Sequence, residues 1–116
     1  MADEVFRSAE CDEDLDIIFE FLMRSYEAVG ESVLEAFERA ATRLRDIEDD
    51  LASLGQVPHQ GLLWPEVRPR LRWVTKRRAI FYFEVDDEAK RVNVLAIFFG
   101  GQDHRRLALD RVLGLT

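Results

Sequence analysis

The residues best suited to chemistry form a basic strip between Arg68 and Arg78. It holds six cations and no acid: Arg68, Arg70, Arg72, Lys76, Arg77 and Arg78. Trp73 lies within the strip. Basic side chains beside an aromatic ring can bind phosphate and stack a base, and they can equally bind an acidic protein segment. An exposed edge strand protected by its charge is as good an explanation for Arg70 and Arg72, and the better one for Lys76.

A second group of candidates, Asp103-His104-Arg105-Arg106, stands at the start of the last predicted helix. His104 is a residue type that serves as a general acid or base, but no second catalytic residue accompanies it in the sequence. A surface histidine is therefore the favoured interpretation. We predict that Asp103 is a helix N-cap.

The other reactive residue types favour structural roles. His59 falls in a loop punctuated by Pro and Gly, and Trp64 is expected to pin that loop to the core. Cys11 is expected to be an inert helix residue. The acids from Asp12 to Asp16 are interpreted as a solvated helix start rather than a metal site. With one cysteine and two histidines, the sequence predicts no disulfide, no metal site and no cofactor.

Two helices are predicted in the first half of the chain. Ser8 is a candidate N-cap, apolar residues recur at helical spacing from Leu15, and Gly30 ends the pattern. Ser32-Val33-Leu34-Glu35 is typical of a capping box. The stripe that follows comprises Leu34, Phe37, Ala41, Leu44, Ile47, Leu51 and Leu54, and Gly55 ends it. The short link makes the two helices antiparallel neighbours.

Strand patterns dominate the second half. Leu71–Thr75, Ala79–Val85 and Val92–Phe99 are joined by short polar turns, and Val5 and Phe6 predict a short first strand. A short helix from about Asp103 to Leu113 follows. We predict an α+β fold of order β-α-α-β-β-β-α in one domain, residues 1–116. An antiparallel sheet would carry a helical hairpin on one face and a short C-terminal helix.

The two long apolar strands need cover on both faces, because their odd and even positions are both apolar. The helical hairpin supplies one side. We therefore expect an apolar groove on the other face that a partner fills. The alternative is that the terminal helix and loop 56–70 close it.

The charge is divided unequally. The net charge is −7, yet residues 1–55 carry 5 Lys/Arg and 16 Asp/Glu, whereas residues 56–116 carry 11 and 7. This unequal division predicts one acidic face and one basic face, and the basic face is suited to bind an acidic partner. The sequence lacks the GxxxxGK(S/T), GxSxG and HExxH motifs, an apolar run that could span a membrane, and a signal-peptide pattern. A cytoplasmic protein is expected.

Several segments together resemble a known family. They are Asp14-Leu15-Asp16-Ile17-Ile18, the long second helix, Arg68-Pro69-Arg70-Leu71-Arg72 before a hairpin, Ile80-Phe81-Tyr82 followed by Val85-Asp86-Asp87, Val94-Leu95-Ala96-Ile97, and a closing Gly-x-x-Asp-x-Arg-Arg. In their order and spacing they cover nearly the whole chain. The sequence resembles the RelE/ParE toxin superfamily of bacterial type II toxin–antitoxin systems.

The resemblance implies a toxin neutralised by a small antitoxin and acting on one of two targets. RelE-type members are ribosome-dependent ribonucleases that cleave messenger RNA without metal, whereas ParE-type members poison DNA gyrase. In an ungapped alignment the basic pair before the turn is matched by Arg70 and Arg72. Three further positions of the ribonuclease pattern are occupied by Ala79, Gln102 and Ala108. If the alignment shifts by one residue, Arg78 or His104 falls on a position of the ribonuclease pattern. Phe98-Phe99-Gly100-Gly101-Gln102 departs from the usual ParE pattern.

The favoured hypothesis is a ParE-like gyrase inhibitor that acts by binding and has no catalytic residues. Its ParD-like antitoxin would contact the basic strip and the last helix, at Arg68, Arg70, Arg72, Trp73, Arg77, Arg78, Phe99, Arg105 and Arg106. The alternative is a ribosome-dependent ribonuclease using Arg72, Arg78 and His104. A third hypothesis is a family member that survives as a binding module without toxicity. The helix hairpin could also form a homodimer, and the chain could form a hetero-oligomer with its antitoxin.

Overall fold

Three helices and five strands make up the computed structural model, which describes residues 2–114. In chain order they are β1 (Glu4–Arg7), α1 (Ala9–Ala28), α2 (Val33–Ser53), β2 (Leu62–Leu63), β3 (Leu71–Lys76), β4 (Ala79–Asp86), β5 (Arg91–Phe99) and α3 (His104–Leu113). The predicted α+β class and element order are confirmed. The two-residue β2 is an addition that the sequence pattern does not show.

The strands form one sheet in the order β1-β5-β4-β3-β2. Strands β3, β4 and β5 pair antiparallel, as predicted, and the added β2 pairs antiparallel to β3. The prediction of a wholly antiparallel sheet is wrong for β1, which pairs parallel to β5 from Glu4 opposite Arg91 to Arg7 opposite Val94. The sheet is therefore mixed. The parallel pairing arises because two helices and three strands intervene before the chain returns to β1, so no hairpin fixes the direction of β1.

Both predicted helix starts are confirmed. The Ser8 hydroxyl accepts a hydrogen bond from the Cys11 amide, and Ser32 with Glu35 forms a complete capping box. The Ser32 amide donates to the Glu35 carboxylate and thereby lowers the pKa of Glu35. The predicted apolar stripe of α2 is wrong at its start, since Leu34 and Phe37 are exposed.

The two faces of the sheet carry separate cores. On the hairpin face, α1 and α2 pack against the side chains of Phe81 and Phe83. On the other face, α3 and the loop around Trp64 cover Ile80 and Phe98, which are only 4% and 5% exposed. The prediction of an open groove on this second face is wrong. The terminal helix and the long loop close it, and Trp64 packs there as expected.

No strand covers the outer edge of β5 beyond the point where β1 ends. Side chains take the place of a neighbouring strand along this edge. The Arg111 guanidinium donates to the Leu95 carbonyl at 2.9 Å, Asp14 Oδ2 accepts from the Ile97 amide at 3.0 Å, and Gln102 Oε1 accepts from the Phe99 amide at 2.9 Å. Backbone groups that β1 is too short to reach are thus satisfied.

An ion pair between Asp14 and Arg111 fixes α3 to α1. Arg111 Nη2 lies 2.7 Å from Asp14 Oδ1, and its Nη1 lies 3.1 Å from Oδ2, so the contact is bidentate. The hydrogen bonds to Asp14 raise the pKa of Arg111. Asp14 is only 5% exposed, which corrects the prediction that this acid belongs to a solvated helix start. Because Asp14 also accepts from β5, the pair joins three elements.

No helix within residues 2–114 is both long enough and apolar enough to cross a membrane.

Replacing Arg111 by Ala should lower the free energy of unfolding by roughly 3 kcal/mol, because it leaves the buried Asp14 carboxylate without its cation. Urea denaturation measures the change. Arg106→Ala is the matched control, since Arg106 pairs with Asp103 and Asp110 at the surface and its loss should cost at most about 1 kcal/mol. Equal effects of the two substitutions would contradict the role assigned to Asp14 and Arg111.

Candidate functional site

An aromatic cluster of Trp73, Tyr82 and His104 forms where α3 begins to cover the second face of the sheet. The Tyr82 hydroxyl and His104 Nδ1 are hydrogen-bonded at 2.8 Å. The Trp73 ring stacks on Tyr82 with centroids 6.2 Å apart, and it lies 5.5 Å from the His104 ring. Strand pairing sets this arrangement, because Trp73 and Tyr82 are direct cross-strand partners on β3 and β4.

Burial raises the pKa of Tyr82 to about 12, and the nearby Arg105 opposes that rise. The hydroxyl is therefore neutral at physiological pH and able to donate to His104 Nδ1. This hydrogen bond fixes the orientation of the imidazole ring, which leaves the second ring nitrogen as its reactive atom.

A cleft of about 300 Å³ opens beside the aromatic cluster, lined by Thr75, Arg78, Ile80, Gly100 and His104. It brings together two of the three residues of the ribonuclease alternative, Arg78 and His104. The third, Arg72, lies on the opposite face of the sheet, since its cross-strand partner Phe83 belongs to the hairpin-side core. The predicted set of Arg72, Arg78 and His104 is therefore not assembled.

Internal contacts occupy three arginines of the basic strip. Arg68 pairs with Glu84 at 3.1 Å, and Arg72 donates to the His59 carbonyl at 3.0 Å. Arg77 donates from Nε and Nη2 to the Asp50 carboxylate, both at 3.0 Å, and these bonds raise its pKa. Arg68 thus links the basic strip to β4, Arg72 links it to the loop before β2, and Arg77 links it to α2.

Arg70 and Arg78 differ from the three arginines of the basic strip that internal contacts occupy. Within residues 2–114, neither has a carboxylate within ion-pair distance. Arg77 and Arg78 occupy the two-residue turn between β3 and β4 with φ of 48° and 73°. Such a turn needs positive φ at both positions, which is costly for residues other than Gly or Asn.

The Arg78 guanidinium lies over the Phe99 ring, 5.3 Å from its centroid, and Arg43 of α2 lies 5.4 Å from the same ring. Phe99 itself is 3% exposed, so it is a core residue. Its ring supports these two arginines, and its contact with a partner stays a prediction.

The basic residues at the start of α3 contact neighbouring side chains of the same chain. Arg105 lies over the Trp64 ring at 4.7 Å, and Arg106 pairs with Asp103 and Asp110. Asp103 stands at the N-cap position, as predicted, but its side chain makes no capping hydrogen bond. It pairs with Arg106 instead.

An apolar groove of about 410 Å³, here named the α1–β5 groove, runs between α1 and the outer edge of β5. Its lining comprises Ile17, Ile18, Phe21, Arg24, Ser25, Ala28, Phe99 and Gln102. The lining contains one cation and no carboxylate. No residue of α2 lines the groove.

Sequence reasoning missed Tyr82, Gln102 and the Asp14–Arg111 pair as determinants of these surfaces. For Asp14 a signal was present, because it falls on the same helical stripe as Cys11, Leu15 and Ile18. An acid on an apolar stripe needs a buried cation. No comparable signal exists for Gln102, whose partner is a backbone amide. Within the described residues, no group of three or more His, Cys, Asp or Glu side chains is placed to hold a metal ion.

Replacing Tyr82 by Phe should lower the free energy of unfolding by about 1 kcal/mol near pH 8, because His104 loses its hydrogen-bond partner. Wild type should then lose stability from about pH 10 to 12, since the unfolded phenol ionises near 10.0 whereas the folded one does so at about 12. The gap between the two proteins should narrow over this window in urea titrations. A constant gap would contradict the assignment.

Comparison with known proteins rests on structure. No protein-family model matches the sequence, and no curated protein matches it significantly. A chain of the chromosomal ParDE TA system from P. aeruginosa is similar over 84% of this chain and 96% of that chain, at 24% identity and a TM-score of 0.63. A mutant of the E. coli toxin RelE in the free state is similar over 100% of both chains, at 12% identity and a TM-score of 0.60. The chain therefore shares the fold of these two proteins.

Proposed function

We propose that the chain is the toxin of a type II toxin–antitoxin pair and belongs to the ParE-like branch of the RelE/ParE superfamily. In this proposal it inhibits DNA gyrase by binding it in the cytoplasm, and a cognate ParD-like antitoxin neutralises it. The observation that carries the proposal is the shared fold, which extends over 96% of the ParDE chain. The resemblance in sequence motifs supports it independently.

The position of Arg72 supports binding rather than catalysis. A metal-free ribonuclease needs several cations converging on one phosphate. Here the guanidinium of Arg72 is held by a loop carbonyl on the far face of the sheet from His104. Ala79, Gln102 and Ala108 add no charge at the three other positions of the ribonuclease pattern.

The charge distribution supports a protein target as well. The first 55 residues carry 16 acids against 5 basic residues, so this half repels a nucleic-acid surface. We propose that the basic strip and the start of α3 contact protein partners. Among the arginines of the strip, Arg70 and Arg78 are the best placed for this, because within the described chain their side chains make neither an ion pair nor a hydrogen bond.

A second candidate function is a ribosome-dependent ribonuclease that cleaves messenger RNA. The observation that favours it is the cleft shared by Arg78 and His104, with Tyr82 fixing the imidazole. In this mechanism His104 takes the proton of the attacking 2′-hydroxyl, and the P–O5′ bond breaks as the P–O2′ bond of a 2′,3′-cyclic phosphate forms. The departing 5′-oxygen takes a proton from water, and Arg78 stabilises the charge on the phosphate. The positive φ of Arg78 is a cost that such a role would explain.

Induction of the chain alone in bacteria, with pulse-labelling of DNA and protein synthesis over the first minutes, separates the two functions. We expect DNA synthesis to fall first, and the purified chain to inhibit gyrase supercoiling. The double variant Arg78→Ala, His104→Ala should leave messenger RNA in a translating extract as intact as wild type does. Arg45→Ala, His59→Ala is the matched control, because both residues lie outside the cleft.

An early fall in protein synthesis that the cleft variant abolishes and the control variant retains would overturn the gyrase proposal in favour of the ribonuclease. If neither synthesis falls, the chain is not a toxin and the binding-module hypothesis replaces both.

A further inference from the structure

A pocket that the proposed function does not use lies on the hairpin face of the sheet. It has a volume of about 220 Å³, and no residue of α1 or α2 lines it. It shares no residue with the cleft of Arg78 and His104 or with the α1–β5 groove. The lining of this pocket, here named the Arg70 pocket, comprises His59, Leu63, Pro69, Arg70, Arg72, Val85 and Asp87.

Alternation along β3 brings two arginines to this pocket. Leu71, the first residue of β3, is fully buried in the core beneath α3. Because successive side chains of an extended chain point to opposite faces, Arg70 and Arg72 lie on the other face. Val85 of β4 belongs to the hairpin-side core and lines the pocket with them. The sheet therefore places two cations beside one apolar surface.

The two guanidinium groups retain unused hydrogen-bond donors. Arg72 Nη1 donates to the carbonyl oxygens of His59 at 3.0 Å and Gln60 at 3.5 Å, which holds this arginine against the loop before β2. Within residues 2–114, its Nε and Nη2 make no hydrogen bond, and the Arg70 side chain makes neither a hydrogen bond nor an ion pair. A guanidinium offers parallel N–H groups that match the two oxygens of a carboxylate. The pocket thus has one fixed and one adjustable donor group for such an anion.

Apolar side chains form the rest of the pocket surface. Leu63, Pro69 and Val85 line it, and Leu63 remains 51% exposed in the free chain. A ligand with an apolar body gains free energy by covering this surface. The volume is below the range of about 300–1,000 Å³ that is typical of pockets for drug-sized ligands, so the body is limited to about one ring or one branched alkyl group.

The charges at the pocket favour a ligand with a single negative charge. Arg70 and Arg72 contribute two positive charges, and Asp87 contributes one negative charge. His59 Nε2 lies 2.9 Å from Asp87 Oδ1, so this carboxylate already has a partner within the chain. With a neutral imidazole, the surplus at the pocket is one positive charge. A carboxylate balances that surplus, whereas a phosphate dianion would place an excess negative charge beside Asp87.

We propose that the Arg70 pocket binds a small organic carboxylate, whose anionic group contacts Arg70 and Arg72 and whose apolar body covers Leu63, Pro69 and Val85. The inference goes beyond the proposed toxin function, which assigns no small ligand to the chain. A carboxylate of this kind occurs in free organic acids and at the C-terminal residue of a peptide, and two probes separate these sources.

Titration of the purified ¹⁵N-labelled chain with benzoate, followed through the NMR shifts of its amides, tests the site. We expect a Kd of about 1 mM or tighter, with the largest shifts at Leu63, Arg70 and Asp87. Benzamide has the same shape without the charge, and it should bind at least about tenfold more weakly because charge-assisted hydrogen bonds are lost. Shifts centred on Gly100 and His104 would place the anion in the other cleft and overturn the inference.

Replacing Arg70 by Ala should weaken benzoate binding at least about tenfold, because the adjustable donor group is removed. Arg78→Ala is the matched control, since Arg78 is also an arginine of the basic strip without an ion pair but lines a different cleft. It should change the Kd by less than about twofold. Asp87→Asn should strengthen binding about two- to threefold, because it removes the negative charge at the pocket.

Thermal unfolding verifies that each of these variants is folded. Equal losses of binding in Arg70→Ala and Arg78→Ala would indicate attraction to the basic strip as a whole, and that result would overturn the pocket as the site.

Two further probes establish the source and the charge of the ligand. N-acetyl-leucine imitates the C-terminal residue of a peptide, so tighter binding of this probe than of benzoate assigns the pocket to a peptide end, and the reverse order assigns it to a free acid. Phenyl phosphate should bind more weakly than benzoate at neutral pH, and tighter binding would overturn the choice of a carboxylate. If neither carboxylate binds at about 10 mM, the inference fails, whereas the toxin proposal, which concerns complexes with proteins, is unaffected.

Discussion

The outer edge of β5 is the constraint on which the rest of the structure depends. Strand β1 is four residues long and satisfies only half of that edge, so the remaining backbone groups require other partners. Asp14 and Arg111 supply them from two different helices, and the ion pair between these residues compensates for the burial of the charge. The positions of α1 and α3 relative to the sheet follow from this one arrangement.

The aromatic cluster is a consequence of that arrangement. Because Arg111 holds the end of α3 against α1, the first residue of α3, His104, lies over the second face of the sheet within reach of Tyr82. The same packing closes the face that the apolar strands leave uncovered. An apolar groove stays open instead between α1 and the end of β5, where Ile17 and Phe21 are exposed.

Structural features that depend on residues close together in the sequence were predictable. The capping residues Ser8 and Ser32, the strands around the Lys76 to Ala79 turn and the α+β order depend on neighbouring residues, and they are confirmed. Contacts between distant residues were not predictable. The basic strip is continuous in sequence, but alternation along β3 separates Arg72 from Trp73 onto opposite faces, and only pairing with β4 reveals which face meets α3. The start of the apolar stripe on α2 was wrong for the same reason, since the pattern does not show that the sheet leaves Leu34 and Phe37 exposed.

The pairing of β1 with β5 determines when the protein can fold during its synthesis. Glu4 of β1 pairs with Arg91, and Asp14 of α1 forms its ion pair with Arg111. These contacts of β1 and α1 can therefore form only when almost the entire chain has been synthesised. Contacts of such long sequence separation make folding slow and late. Nearly the whole polypeptide must therefore leave the ribosome before β1 can pair with β5. A translation product truncated before Arg91 lacks both β5 and the Arg111 partner of Asp14. The architecture itself therefore delays the assembly of the aromatic cluster and of the α1–β5 groove until almost all of the chain has been synthesised.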